Sequence, residues 1–176
     1  MAGTAIKVVV EDAGVRRAMR RLGRQNSELV QSALKNIGEQ LLKSTRKRFD
    51  DGVDPAGQPW APLNPAYKAG KKGNKILVGA GMRGGLLGTI VYLVTGSRLM
   101  IGTNKVYAAI HQFGGVIQPR SGGYLVFRLG GRLVHAKKVT IPARPFLGIS
   151  TEDRTEIEMV IRDHIAAAWT QPTRSG

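Results

Sequence analysis

"SELVQSALKNIGEQLLKSTRKRF", residues 27–49, is the stretch that decides the fold. Its apolar positions Leu29/Val30, Ala33/Leu34, Ile37, Leu41/Leu42 and Phe49 recur at three-and-four spacing. That period predicts one long helix with a single buried stripe, starting at Ser27 and ending near Phe49. The closing "KSTRKRF" puts positive charge at the helix C-terminus, where the backbone dipole favours it. Upstream, Ile6 to Val10 reads as an apolar strand, and Asp12 can cap a short basic helix, "AGVRRAMRRLGR" (13–24).

Downstream, "DDGVDPAGQPWAPLNPAYKAGKKGNK" (50–75) holds four prolines and four glycines with no usable period. It reads as a long loop anchored by Trp60 and Tyr67, with Trp60 plugging the edge of a core. Three strand candidates follow: "KILVG" (75–79), "GTIVYLVTG" (88–96) and "RLMIGT" (98–103). The last two are joined by a hairpin turn at Gly96. "KVYAAIHQF" (105–113) reads as a short helix with Val106, Ala109, Ile110 and Phe113 inward. A basic hairpin excursion over 116–139 turns at Gly130-Gly131. "STEDRTEIEMVIRDHIAAAW" then predicts a helix over 151–169, capped by Ser150 or Thr151 with acids in its first turn. Its buried face is Ile157, Val160/Ile161, His164/Ile165, Ala168 and Trp169.

Strands clustered between flanking helices imply an α+β fold rather than an alternating parallel sheet. The expectation is one domain over 1–176: an antiparallel sheet with a basic β-hairpin excursion, packed against the long helix and the C-terminal helix. At 176 residues the chain is long enough to bury a core of its own.

Charge is the strongest compositional signal. The net value is +15, and between Pro55 and Thr151 there are thirteen bases and no acid. A field of one sign over so long a stretch favours nucleic acid or an acidic protein surface as neighbour. Lack of cysteine rules out disulfide and thiolate chemistry and suits a reducing compartment. "MAGTAIKVVVEDAG" lacks a basic region followed by an apolar run and does not read as a signal peptide. The longest apolar run, "LLGTIVYLV" (86–94), falls short of the ~20 residues that cross a bilayer. The reading is a soluble intracellular product with no membrane association.

The same absence of acids bears on catalysis. A carboxylate for His111 would have to come from the terminal regions, and paired-carboxylate or two-metal chemistry finds no support in the sheet region. His111, His135 and His164 stand at unrelated spacings, which gives zinc no ligand set. No G-x-S-x-G elbow is present. "GAGMRG" (79–84) matches G-x-G-x-x-G, yet neither a committed helix nor the acid expected ~20 residues later follows it. The expectation is no catalytic set, no cofactor and no metal. In "AAIHQFGG" (108–115) His111 reads as a buried, hydrogen-bonding corner, and Gly114 or Gly115 closes the helix in a left-handed conformation.

Three blocks together resemble a known family. "RFDDGVDPAGQPWAPLNPAY" (48–67), with Asp54, Pro55, Gly57 and Trp60, "YAAIHQFGG" (107–115) and "IPARPFLGIS" (141–150) are similar, in that order, to the virion morphogenesis or tail-completion proteins of Mu-like tailed phages. "KILVGAGMRGGLLGTIVY" (75–92) departs from the family pattern, with Ala80 where a threonine is usual.

The resemblance implies a small α+β subunit at the head–tail junction, working as a homo-oligomeric ring, with a hexamer favoured. Its partners would be tail tube and head-connector proteins, with genomic DNA in the lumen, and it would be assembled in the host cytoplasm. It makes Trp60, His111, Phe113, Gly114, Gly115, Pro142, Arg144, Pro145 and Phe146 structural or interface residues, with Phe146 and Leu147 entering the core and Arg144 in a fixed ion pair. Arg120, Arg128, Arg132, Lys137 and Lys138 are the candidate contacts to DNA or an acidic partner. The alternative is a non-specific nucleic-acid-binding protein that holds phosphates through the basic hairpin.

Overall fold

The long apolar stripe becomes helix α1, Ser27–Asp51, 25 residues without a break. In a computed structural model, residues 17, 27–71, 73, 75–79 and 85–170 are described. The expected strand at Ile6 to Val10, all of the short basic helix but Arg17, Ala80 to Gly84, and the side chains of Ala168 and Trp169 lie outside them. Val30, Ala33, Leu34, Ile37, Leu41 and Leu42 are all buried, as their spacing requires.

Beyond α1 come α2 (Pro65–Gly70), a 3-10 turn (Leu87–Thr89), β1 (Val91–Thr95), β2 (Arg98–Gly102) and α3 (Ala108–Phe113). Strands β3 (Gly115–Ile117), β4 (Leu125–Leu129), β5 (Arg132–Ala136) and β6 (Val139–Ile141) lead into α4 (Thr151–Thr170). The fold is α+β as expected, but its strands form three separate antiparallel ribbons: β1–β2, β3–β6 and β4–β5. The ribbon β1–β2 and helix α4 pack on α1. Gly38 makes the first contact close, since a Cβ there would lie 2.5 Å from Cδ2 of Tyr92 on β1. The Tyr92 hydroxyl then donates to Glu39 Oε1 at 2.8 Å.

The other two ribbons build an arm. Val116 pairs with Thr140 at its base, and Phe127 with Val134 near its tip. None of residues 116–139 joins a hydrophobic cluster among the described residues. Within its own chain the tip leans on α2, where a Cβ on Gly130 would lie 3.1 Å from the Ala66 carbonyl oxygen.

Three expectations need correction. Lys75 to Gly79 is not a strand: Leu77 takes φ 61°, a left-handed turn that breaks the extended chain. Tyr67 does not anchor the long loop, being 47% exposed on α2. In α3 the buried residues are Ala108 and Gln112, while Val106 and Phe113 stand 70% and 68% exposed. The reason lies in the hydrogen bonds of Gln112, described below.

Where α1 ends against the start of α4, Arg48 and Asp153 form an ion pair with both side chains 6% exposed. Arg48 also donates to the carbonyls of Phe146 (3.3 Å) and Gly148 (3.0 Å) and to Ser44 Oγ (3.0 Å). Asp153 accepts the Ser150 N–H at 2.8 Å while Ser150 Oγ accepts the Asp153 N–H at 3.1 Å, a capping box that starts α4. Removing one member of a buried pair strands the other's charge. Arg48→Met should therefore cost about 3–5 kcal/mol in urea unfolding. Lys47→Met, which breaks the exposed Lys47–Asp51 pair, should leave the transition almost unmoved.

Candidate assembly site

The three sequence blocks converge on one hub. In the first, the Asp54 carboxylate accepts the N–H groups of Ala56 (2.8 Å) and Gln58 (2.9 Å), which folds the loop back on itself. Trp60 N–H then reaches the Gly52 carbonyl at 2.8 Å. The Trp60 ring is buried as expected, edge-on to Phe49 at 5.3 Å, and its Nε1–H donates to the Pro145 carbonyl at 2.8 Å. Phe146 is fully buried against Phe49 at 5.5 Å, with Leu147 beside it, so both enter the core as read.

The second block grips the third through one amide. Gln112 Oε1 accepts the N–H groups of Phe146 and Leu147, each at 3.0 Å, and Nε2 donates to the Leu147 carbonyl at 2.8 Å. Three backbone groups of an irregular buried strap are thereby satisfied, which is why α3 turns a glutamine inward and Phe113 outward. Gly114 closes α3 at φ 71°; a Cβ there would come within 2.7 Å of Ala143 N. Gly148 allows an equally close approach, with a Cβ 2.5 Å from Cγ of Pro55. Gly115 starts β3 beside Ile110, and Pro142 is exposed.

Arg144 is buried, but the expected ion pair does not form. Its Nε and one terminal nitrogen donate to the carbonyls of Ala61 (2.8 Å) and Pro62 (2.9 Å), and its N–H donates to the His111 carbonyl at 2.7 Å. No carboxylate partners it among the described residues. Burial lowers its pKa from the usual arginine value. The buried ion pair of the hub belongs to Arg48 and Asp153, which sequence reasoning missed. A signal was there: Leu41, Thr45 and Arg48 share the i, i+4, i+7 stripe, and Ser150-x-x-Asp153 has capping-box spacing.

His111 sits at this corner, half-buried and edge-on to Tyr107 at 6.0 Å. Its Nδ1 is buried and has no hydrogen-bond partner among the described residues. The ring therefore departs from the hydrogen-bonded corner that was expected, although its backbone carbonyl does hold Arg144. Desolvation, with the Arg144 charge second, lowers the pKa of the imidazole.

Outside the hub the surface of the arm is apolar and basic. Val116 and Ile117 on the base of the arm, and Tyr124, Val126 and Leu133 nearer its tip, are exposed. Arg120, Arg128, Arg132, Lys137 and Lys138 are exposed along the same arm. A groove lined by Asn36, Glu39, Gln40, Lys43, Arg46 and Val160 offers one carboxylate beside two cations and no nucleophile. Among the described residues no three potential ligands gather for a metal, and no helix is long and apolar enough to cross a membrane.

Adjacent residues of α3 should behave oppositely. Gln112→Leu strands two N–H groups and a carbonyl, and thermal or urea unfolding should register a loss of at least about 2 kcal/mol. Phe113→Ser should leave stability unchanged, because the ring already faces water. His111 adds a pH dependence. Its folded pKa lies below the unfolded value near 6.5, so its contribution is complete above that pH and declines as pH falls toward the folded pKa. Unfolding between pH 7.5 and 5.5 should lose less stability in His111→Gln than in the natural chain.

The description of the phage virion morphogenesis family matches residues 10–166. The chain is 29% identical over 136 residues to the putative capsid assembly protein G of Escherichia phage Mu, across 74% of this chain and 76% of that one. It is 37% identical over 79 residues to the Mu-like prophage FluMu G protein 2 of Haemophilus influenzae, across 45% of this chain and 46% of that one. No solved structure matches it significantly. The family match takes in every block of the hub, from α1 through α4: the chain belongs to the phage virion morphogenesis family, and its role is in building the phage particle.

Proposed function

We propose that the chain is a structural subunit of a tailed phage that completes the tail and joins it to the head at the neck. The observation that carries this reading is the contrast between a hub whose side chains hydrogen-bond its own backbone and an outside left apolar. Gln112 and Trp60 spend their polar atoms on the chain's own backbone. Val106 (70% exposed), Phe113 (68%) and Leu133 (58%) meanwhile face outward. Exposed apolar groups in that number suit a part buried by neighbours in a larger assembly.

The subunit works in a homo-oligomeric ring, a hexamer on the family resemblance, set between tail tube and head connector in the finished virion. A place at that junction accommodates both the tail-completion likeness of the three blocks and the capsid-assembly name of the Mu relative. The basic arm would then lie beside the genomic DNA that passes through the ring or against an acidic surface of a neighbour. A free-standing, non-specific nucleic-acid binder is the second reading, favoured by the five exposed bases of the arm.

Electron microscopy of lysates from a phage with this gene silenced separates the two. Filled heads beside detached tails, or tails of abnormal length, are the expected result. Normal, joined, infectious particles would overturn the tail role and leave nucleic-acid binding.

A further inference from the structure

The arm formed by β4 and β5 is a ribbon of which its own chain half-buries one face, that of Leu125, Phe127, Leu129, Val134 and Ala136, and leaves the other open. Isolated two-stranded ribbons are at best marginally stable in water, so a second surface is needed to hold this one. Cross-strand pairing puts Val126 with His135 and Arg128 with Leu133, so these four share one face. Val126 and Leu133 are 56% and 58% exposed, and Arg128 and His135 are exposed beside them. That face is apolar and basic together, and its partner should be apolar and acidic together.

The chain carries one such surface. Every acid after Pro55 lies in α4. Glu152, Glu156, Met159 and Asp163 follow the i, i+4, i+7, i+11 spacing of a single helical stripe, and all four are exposed. Met159, at 45% exposure, stands between Glu156 and Asp163. Neither of those carboxylates makes a hydrogen bond or ion pair within the described chain, whereas Asp50 and Asp51 near the end of α1 are paired with Lys75 and Lys47. From these observations we infer that the β4–β5 arm of one subunit docks, through Val126, Arg128 and Leu133, on the Glu156–Met159–Asp163 stripe of α4 in the next copy.

Two different patches meet in this contact, so it is heterologous and propagates head to tail. Such contacts close into rings when the rotation allows. A chain of net charge +15 would otherwise repel its copies; opposing a basic arm to the acidic stripe removes that repulsion where the surfaces touch. The inference rests on the assembly reading only in requiring self-association, and it names the surfaces that perform it.

Light scattering of the purified full-length chain, at low and high salt, tests it. The natural chain should run as an oligomer that loosens as salt rises. Arg128→Glu with His135→Glu, both on the docking face, should run as single subunits, and so should Glu156→Arg with Asp163→Arg. A mixture of these two variants joins the natural arm to the natural stripe and the reversed arm to the reversed stripe, and should give an oligomer in which the two alternate. All four reversals in one chain should restore the oligomer, because each contact again joins opposite charges. Circular dichroism checks that each variant is folded, and Leu133→Ser, which alters no charge, should also weaken association.

A natural chain of single-subunit mass, charge reversals that leave the oligomer intact, or a fourfold reversal that fails to restore it would each overturn the inference. So would association seen solely with added duplex DNA and lost in the fourfold variant, which would give the arm to nucleic acid. None of these results bears on the silenced-gene experiment, where a tail defect would keep the assembly reading even if the arm docks elsewhere.

Discussion

One guanidinium holds the two ends of this fold together. Arg48, near the end of α1, meets four acceptors: the Asp153 carboxylate at the start of α4, the carbonyls of Phe146 and Gly148, and Ser44 Oγ. Arg48 and Asp153 stand 105 positions apart, with α3 and every strand among the described residues between them, so a single buried group fixes where that whole excursion begins and ends. A buried charge is tolerable when water is replaced by geometry of this kind, with a counter-ion and further oxygens around it. The strap 142–150, which has almost no regular structure, gains its order from the side chains that bond to its backbone.

Arg144 shows a second way of meeting the same constraint. It lies buried without a carboxylate, its charge received by the carbonyls of Ala61 and Pro62. Backbone carbonyls have partial negative charge and cost no additional ion to desolvate, which suits a cation in a region with no acidic residue. The cation thereby ties the long loop to the strap. Together with Trp60 and Gln112 it makes the hub a set of side chains spent on backbone groups, a design for rigidity that leaves little polar capacity for a substrate.

Rigidity at the hub and openness at the surface fit a common purpose. A subunit that must present fixed patches to neighbours benefits from an inner frame that does not relax when those patches are uncovered. The arm illustrates the division: its base pairs β3 with β6 next to the hub, while its tip extends beyond both hydrophobic clusters. Val126 and Leu133 would be out of place on an isolated domain, and they make sense on a surface covered in assembly.

The elements legible from sequence alone were those with a long period or a local rule. The α1 stripe repeats over six turns, the β1–β2 and β4–β5 turns carry glycine at the bend, and α4 opens with a capping serine followed by acids. The blocks around Trp60, His111 and Phe146 were visible as a family pattern, without showing that they touch. What only the tertiary structure decided is the direction of short or irregular segments. Helix α3 has six residues, too few for periodicity to outweigh one well-placed amide, so Gln112 turned in and Phe113 turned out. Arg144 found carbonyls rather than the expected acid, and Leu77 turned left-handed within an apolar run that reads as a strand. Local sequence determines an element when its own turns repeat the same preference; where a segment is short, the backbone groups brought to it from distant parts of the chain determine which side faces in.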